Sequence, residues 1–248
     1  MPDFLIALQF LTAIPVKPRK FDEKSFARSV IYFPAVGLLL AGILSCLNVF
    51  FEFLLLPQFS IAILLVVSLA ILTAGIHLDG LSDSFDALLS QRPKDEMLEI
   101  MRDHHTGVMG VLGMVCVLLL KIAFILALSG EFKFYGLFLM CILSRWAMVF
   151  LMFLFPYART SGKAKTMIEG AKLRRIVFSS SLALIFSTIV SGYPALVIFV
   201  TLGAFVALAG RFITNRIGGI TGDIIGAVSE ISEVLVLFMV CVLERGYL

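Results

Sequence analysis

The chain has 248 residues, 60% of them apolar and only 15% charged, with a formal net charge of +3; its mean hydropathy is +1.04. That balance excludes a soluble globular domain and a nucleic-acid-binding module. The few charges fall in short blocks between long apolar runs, so residues 1–248 read as one polytopic membrane domain whose solvent is the lipid bilayer.

In chain order, residues 1–15 are apolar after Pro2-Asp3 but too short to span. They lack a basic leader and a small-residue cleavage site, and read as a short interfacial or re-entrant helix. Spans are predicted at residues 30–55, 59–75, 108–128, 134–155, 176–190, 193–213 and 224–243. The fold expected is an all-α bundle of about seven transmembrane helices plus short interfacial helices, with the second and fifth spans shorter than the ~20 residues a crossing needs. Cys46, Cys116, Cys141 and Cys241 all sit in apolar runs without C-x-x-C pairing and read as inert packing residues.

The connections alternate in character. Segments 17–28, 76–107, 156–175 and 214–223 are charged, whereas those around Pro57, Gly130 and Gly192 are brief and nearly neutral. The charged set holds Lys17, Arg19, Lys20, Lys24, Arg28, Arg159, Lys163, Lys165, Lys172, Arg174 and Arg175. The positive-inside rule assigns that set to the cytoplasm, with the N-terminus inside and the C-terminus outside.

The sharpest feature is His77-Leu78-Asp79-Gly80-Leu81-Ser82-Asp83-Ser84-Phe85-Asp86. Asp79, Asp83 and Asp86 are spaced i, i+4, i+7, which lines them along one helix face over about 10 Å. Three like charges this close repel unless a cation sits among them, and oxygen ligands suit Mg²⁺ or Mn²⁺. The bland alternative is a solvated acidic helix start. Pro93 then opens an amphipathic helix, with Met97, Leu98, Ile100 and Met101 opposed to Asp95, Glu96 and Glu99. Asp103 reads equally as a fourth metal ligand or as a helix cap. His77, His104 and His105 read either as substrate contacts or as hydrogen-bonded anchors at a membrane border.

A second polar island opens the last span. Asp223, Glu230 and Glu233 follow i, i+7, i+10, with Gly222 and Gly226 on a small-residue surface. Glu230 and Glu233 lie deep in apolar sequence and must face the bundle interior beside a cation or a basic side chain. Arg145, mid-span, reads as a phosphate grip or as their partner; Lys121 reads as a pairing or snorkelling residue; Arg159 and Lys163 flank Gly162 in a loop. Two acidic islands with basic residues between them suit metal-assisted attack of a hydroxyl on phosphorus, one carboxylate accepting the proton.

These pieces, in this order, resemble the cobalamin synthase family. The resemblance runs from Phe10-Leu11-Thr12-Ala13-Ile14-Pro15-Val16 and Phe33-Pro34-Ala35-Val36-Gly37 through the aspartate segment and Glu99-Ile100-Met101-Arg102-Asp103. It continues at Ser144-Arg145, Tyr157-Ala158-Arg159 and Gly218-Gly219-Ile220-Thr221-Gly222-Asp223, then Gly226-Ala227 and Glu230. It implies that a ribose hydroxyl of α-ribazole, or of its 5′-phosphate, attacks the cobinamide-linked phosphate of adenosylcobinamide-GDP, releasing GMP. It implies Mg²⁺ on Asp79, Asp83 and Asp86, with Asp103 as a further candidate. Phosphate or substrate contacts are expected from His77, His104, Arg145 and Arg159, and Asp223, Glu230 and Glu233 complete the site. The location implied is the inner membrane of a prokaryote, with the site facing the cytoplasm; oligomeric state is left open. Ala87 after the third aspartate, and the pair His104-His105, depart from the family's usual pattern.

Two rivals have different signatures. A CDP-alcohol phosphotransferase also joins an alcohol to phosphorus with a nucleotide leaving, but its motif needs an aspartate where Ile76 stands and Ala-Arg where Leu81-Ser82-Asp83-Ser84 follows. An ion-coupled transporter built on Glu230, Glu233 and Arg145 would be expected to show inverted repeats, and none is visible.

Overall fold

The computed structural model describes residues 2–16, 22–103 and 105–247, and among these the elements are helices. They are α1 (Pro2–Leu11), α2 (Glu23–Ser29), which runs through a 3-10 turn into α3 (Phe33–Phe53), α4 (Gln58–Leu72), α5 (Ile76–Leu89), α6 (Lys94–Ile100), α7 (Val108–Ala127), α8 (Gly130–Leu154), α9 (Lys163–Gly170), α10 (Leu173–Ser191), α11 (Pro194–Ile217) and α12 (Gly222–Tyr247). The all-α polytopic bundle read from the sequence is the fold observed.

Six of these runs are long and apolar enough to cross a bilayer: α2–α3, α7, α8, α10, α11 and α12. The expected span 59–75 differs. Its helix, α4, has 15 residues, about 22 Å of rise against a hydrocarbon core of about 30 Å. Ala74 and Gly75 then both take left-handed backbone, φ 53° and 67°, and the chain turns by 91° into α5. Glycine adopts that conformation without the Cβ clash that penalises other residues, so Gly75 marks the corner.

The central pair is α8 and α12, whose apolar windows are 78% and 67% buried, against 22–28% for α7, α10 and α11. The outer helices turn Val111, Leu119, Val200 and Leu208 outward, as lipid-facing surfaces do. Between membrane helices the driving force is close packing, for which small residues are needed. Gly37 shows this where α3 crosses α8: a Cβ there would lie 2.3 Å from the Cys141 carbonyl oxygen.

α5 falls in a segment expected to be a charged connection. It is instead packed into the bundle against α7 and α12, because one face is small and apolar: Gly80, Leu81, Ser84 and Ala87 are all buried. Glycines meet it from both neighbours. At the N-cap of α7 and along its first turns, Gly107, Gly110 and Gly113 recur at i, i+3, i+6, and added Cβ atoms would strike Asp86, Ser82 and Phe85. On α12, Gly226 lies against His77. The segment after Pro93 does form the short helix expected, α6, with Met97 and Met101 as its buried anchors.

Candidate active site

The crossing of α5 and α12 builds one end of the site. A Cβ at Gly80 would fall 2.7 Å from the Asp223 backbone oxygen, and one at Gly226 would fall 3.2 Å from the Cα of His77. The two backbones therefore touch, and the first turns of both helices lie side by side. Thr221 caps α12: its hydroxyl oxygen accepts from the Ile224 N–H at 3.2 Å and its O–H donates to Asp223 Oδ2 at 3.2 Å. The loop after α8 is stitched to the residues before α12, with Ala158 N–H donating to Ile220 O at 2.9 Å and Ile220 N–H to Pro156 O at 2.8 Å. That short bridge sets Arg159 against Asp223, Nη2 to Oδ2 3.1 Å.

Asp79 and Asp83 line the adjoining face of α5, the first exposed and the second half-buried. Neither makes a hydrogen bond or ion pair among the described residues, whereas Asp223 is held by Arg159 and Thr221. α5 lies outside the six spanning helices. Burial first, then the charges of Asp79, Asp223 and Asp86, push the Asp83 carboxyl up to about 6, with Arg159 pulling the other way. Carboxylates this close raise one another's pKa unless a positive charge offsets them, and among the described residues Arg159 alone does so here.

Asp86 has a different task. Its Oδ2 accepts from the Gly107 N–H at 2.7 Å and its Oδ1 from the Gly110 N–H at 2.8 Å. It caps the first turn of α7 from 21 residues upstream and satisfies donors that have no partner within that helix. The cap reading considered for Asp103 is thus fulfilled by Asp86. Asp103 instead accepts from the His105 N–H at 3.2 Å and pairs with its Nδ1 at 2.7 Å, which raises the pKa of that exposed imidazole. His104 lies outside the described residues.

The deeper island forms an ion-pair network. The Lys121 ammonium donates to Glu230 Oε2 at 2.6 Å and to Glu233, while Arg145 donates to Glu233 and, at 2.8 Å, to the Ser144 hydroxyl. The Arg145 and Glu233 side chains have no solvent exposure. Two cations and two carboxylates from α7, α8 and α12 thereby neutralise one another inside the bundle, the pairing demanded when charge is buried.

Beside the carboxylates a cavity of about 180 Å³ opens between α1, α3, α5, α8, α9 and α12. Asp79, Asp223 and His77 form its polar edge, and Phe10, Phe33 and Met148 belong to its apolar wall. His77 is buried, and its Nδ1 has no hydrogen-bond partner.

The chain has relatives at the level of sequence. The family model for cobalamin-5-phosphate synthase matches residues 3–241. An adenosylcobinamide-GDP ribazoletransferase of Desulfitobacterium hafniense is 42% identical over 94% of this chain and 93% of its own. One from Roseiflexus sp. is 39% identical over 93% of this chain and 86% of its own, and one from Fusobacterium nucleatum is 32% identical over the full length of both. No solved structure matches the chain. The chain belongs to the cobalamin-5-phosphate synthase family. It is therefore a multi-pass membrane enzyme, a transferase of cobalamin biosynthesis.

For this synthase-family chain, the residues singled out from sequence separate into two groups. Asp79, Asp83, Asp223 and Arg159 come together at the mouth of the cavity, with His77 in its wall. Arg145, Glu230 and Glu233 do not reach that mouth; they are sealed in the ion-pair network because burial demands that each charge find a partner. Asp103 sits in the loop after α6, turned to His105. Among the described residues no group of three or more His, Cys, Asp or Glu is placed to hold a metal ion by itself. What the sequence reading missed is the cavity wall contributed by α1, α3 and α9, and the glycine stripe of α7. The i, i+3, i+6 spacing of Gly107, Gly110 and Gly113 was the available signal for the stripe.

Proposed function

We propose that this chain joins α-ribazole, free or as its 5′-phosphate, to adenosylcobinamide-GDP, releasing GMP. The observation that carries the reading is the meeting of two unpaired carboxylates, Asp79 and Asp83, with the Arg159–Asp223 pair at the end of the bundle. Arg159 has a planar fork that can grip phosphate oxygens, and Asp223 holds it in orientation. The ribose hydroxyl loses its proton to a carboxylate as its oxygen bonds to the cobinamide-linked phosphorus, and the bond to the departing GMP oxygen breaks.

The donor set fits Mg²⁺. Hard carboxylate oxygens without other partners stand at the mouth of the cavity, and this ion is usually held by one or two carboxylates plus substrate phosphates, not by an all-protein cage. Asp79 and Asp83 would hold it; Asp86 and Asp103 are engaged with Gly107, Gly110 and His105. When bound, the ion neutralises charge on the phosphoryl oxygens and the leaving group. Arg145, Glu230, Glu233 and Lys121 act at one remove, keeping α7, α8 and α12 in register. The Lys- and Arg-rich segments around α2, α9 and the start of α10 lie near the Arg159 loop in the fold, which favours a site on the cytoplasmic side.

The test is incubation of the purified protein in liposomes with adenosylcobinamide-GDP, α-ribazole 5′-phosphate and Mg²⁺. GMP release that stops on chelation of the metal is expected. Absence of GMP, with CMP formed instead from CDP-diacylglycerol and an alcohol, would overturn the reading in favour of lipid chemistry.

A further inference from the structure

The cavity beside the carboxylates has walls unlike its mouth. Phe10 of α1, Phe33 of α3, Met148 and Met152 of α8, Met167 of α9 and Ile225 of α12 enclose it. Phe10 and Phe33 stack with ring centroids 6.0 Å apart and planes at 20°, and Phe10 meets Phe26 edge-on at 5.7 Å. Aromatic faces and thioethers of this kind suit a flat apolar ring, the aromatics by stacking and the methionines by moulding to its edge. Only the rim carries charge, from Asp79 and Asp223, and His77 contributes a buried imidazole whose Nδ1 lacks a partner.

We infer that this cavity seats the base of the acceptor nucleoside, with its ribose turned toward Asp79 and Asp223. The inference rests on the transfer reading above and adds which substrate enters here. At about 180 Å³ the space is below the roughly 300–1,000 Å³ of pockets that enclose a whole drug-sized ligand. A corrin macrocycle does not fit it. The guanine of the donor is the wrong shape of polarity: its N–H and carbonyl groups would face phenyl rings and thioethers, where unpaired buried polar groups are costly. A two-ring base without exocyclic polar groups, as in a benzimidazole nucleoside, leaves a single ring nitrogen to satisfy, and the His77 imidazole stands in the wall. Placing the base in the chamber carries its sugar to the rim, beside Asp79 and Asp223.

Ala164 of α9 also lines the cavity, and Ala164→Phe fills it without replacing a charged residue. Equilibrium dialysis of labelled α-ribazole against wild-type protein in nanodiscs, without donor, should show binding that Ala164→Phe weakens by about tenfold or more, the scale on which apolar pockets discriminate. GMP should not compete. In turnover the same variant should raise KM for α-ribazole while leaving KM for adenosylcobinamide-GDP within about twofold. Met167→Ala, which enlarges the chamber, should raise the relative kcat/KM for a nucleoside with a three-ring base. Equal α-ribazole binding by wild type and Ala164→Phe, or displacement of α-ribazole by GMP, would overturn the inference. If wild type binds α-ribazole in this way but releases no GMP, the transfer reading fails and the pocket stands.

Discussion

The pairs Asp79–Asp83 and Glu230–Glu233 look alike in sequence and are opposites in the fold. Asp79 and Asp83 are partly open to solvent and have no hydrogen-bond or ion-pair partner among the described residues. Glu230 and Glu233 are buried and matched by Lys121 and Arg145. The first cluster stores like-charge repulsion. The second spends its charges on holding three helices together. A carboxylate near lipid is therefore not a functional residue by virtue of its location; what it faces decides its role.

The contrast can be broken most directly at α5. Asp79→Asn and Asp83→Asn should each cut GMP release by about 10³-fold or more, because charge stabilisation at the phosphoryl group is the largest contribution available to such a site. The same changes should leave thermal stability in detergent unchanged or higher, since each removes a member of a like-charged group. A loss of stability parallel to the loss of rate would place Asp79 and Asp83 with the structural set.

The reverse pattern is expected at the buried network. Lys121→Met leaves Glu230 and one oxygen of Glu233 without their cation. Breaking a buried pair from one side costs about 3–5 kcal/mol. The readout is thermal unfolding followed by the emission of Trp146, which is 2% exposed and stacks on Phe150 at 5.1 Å. Adding Glu230→Gln to Lys121→Met should recover a large part of that loss, because the orphaned charge is gone. A substantially unchanged midpoint in Lys121→Met would show that the network contributes little to the fold.

Arg159 joins the two behaviours, since it pairs with Asp223 but stays partly accessible. Arg159→Ala should lower kcat/KM by about 10²-fold, the usual cost of one charged donor at a reacting group. Arg159→Lys should recover only a minority of that, because an ammonium lacks the fork that spans two phosphate oxygens. Full rescue by lysine would reduce Arg159 to a simple counter-charge for Asp223.

Much of this was legible from residue types alone. Long apolar runs mark membrane helices because every backbone polar group must be satisfied inside the segment, and the six longest helices lie where the hydropathy put them. The aspartate segment was legible because charge next to an apolar run is unusual. Two things were not. A 15-residue run such as α4 carries no mark of its 91° turn beyond Gly75. Pairing is a property of three-dimensional neighbours 88 to 112 residues apart, as for Arg145 with Glu233 and Lys121 with Glu233, so the choice between a phosphate grip and an ion pair at Arg145 had no local signal.

The same limit explains Asp86 and yields the finest test. By spacing it belongs with Asp79 and Asp83; by geometry both its oxygens are occupied by the Gly107 and Gly110 N–H groups. Asp86→Asn keeps one acceptor and loses the charge that favours a helix N-terminus, so it should lower stability by about 1 kcal/mol, as other cap losses do. The Mg²⁺ concentration giving half-maximal GMP release should not move in that variant. Asp83→Glu, which keeps the charge but shifts its oxygens, should move it upward. If Asp86→Asn shifts the Mg²⁺ dependence as far as Asp83→Glu does, Asp86 sits on the ion as well as on α7, and the i, i+4, i+7 row acts as one unit after all.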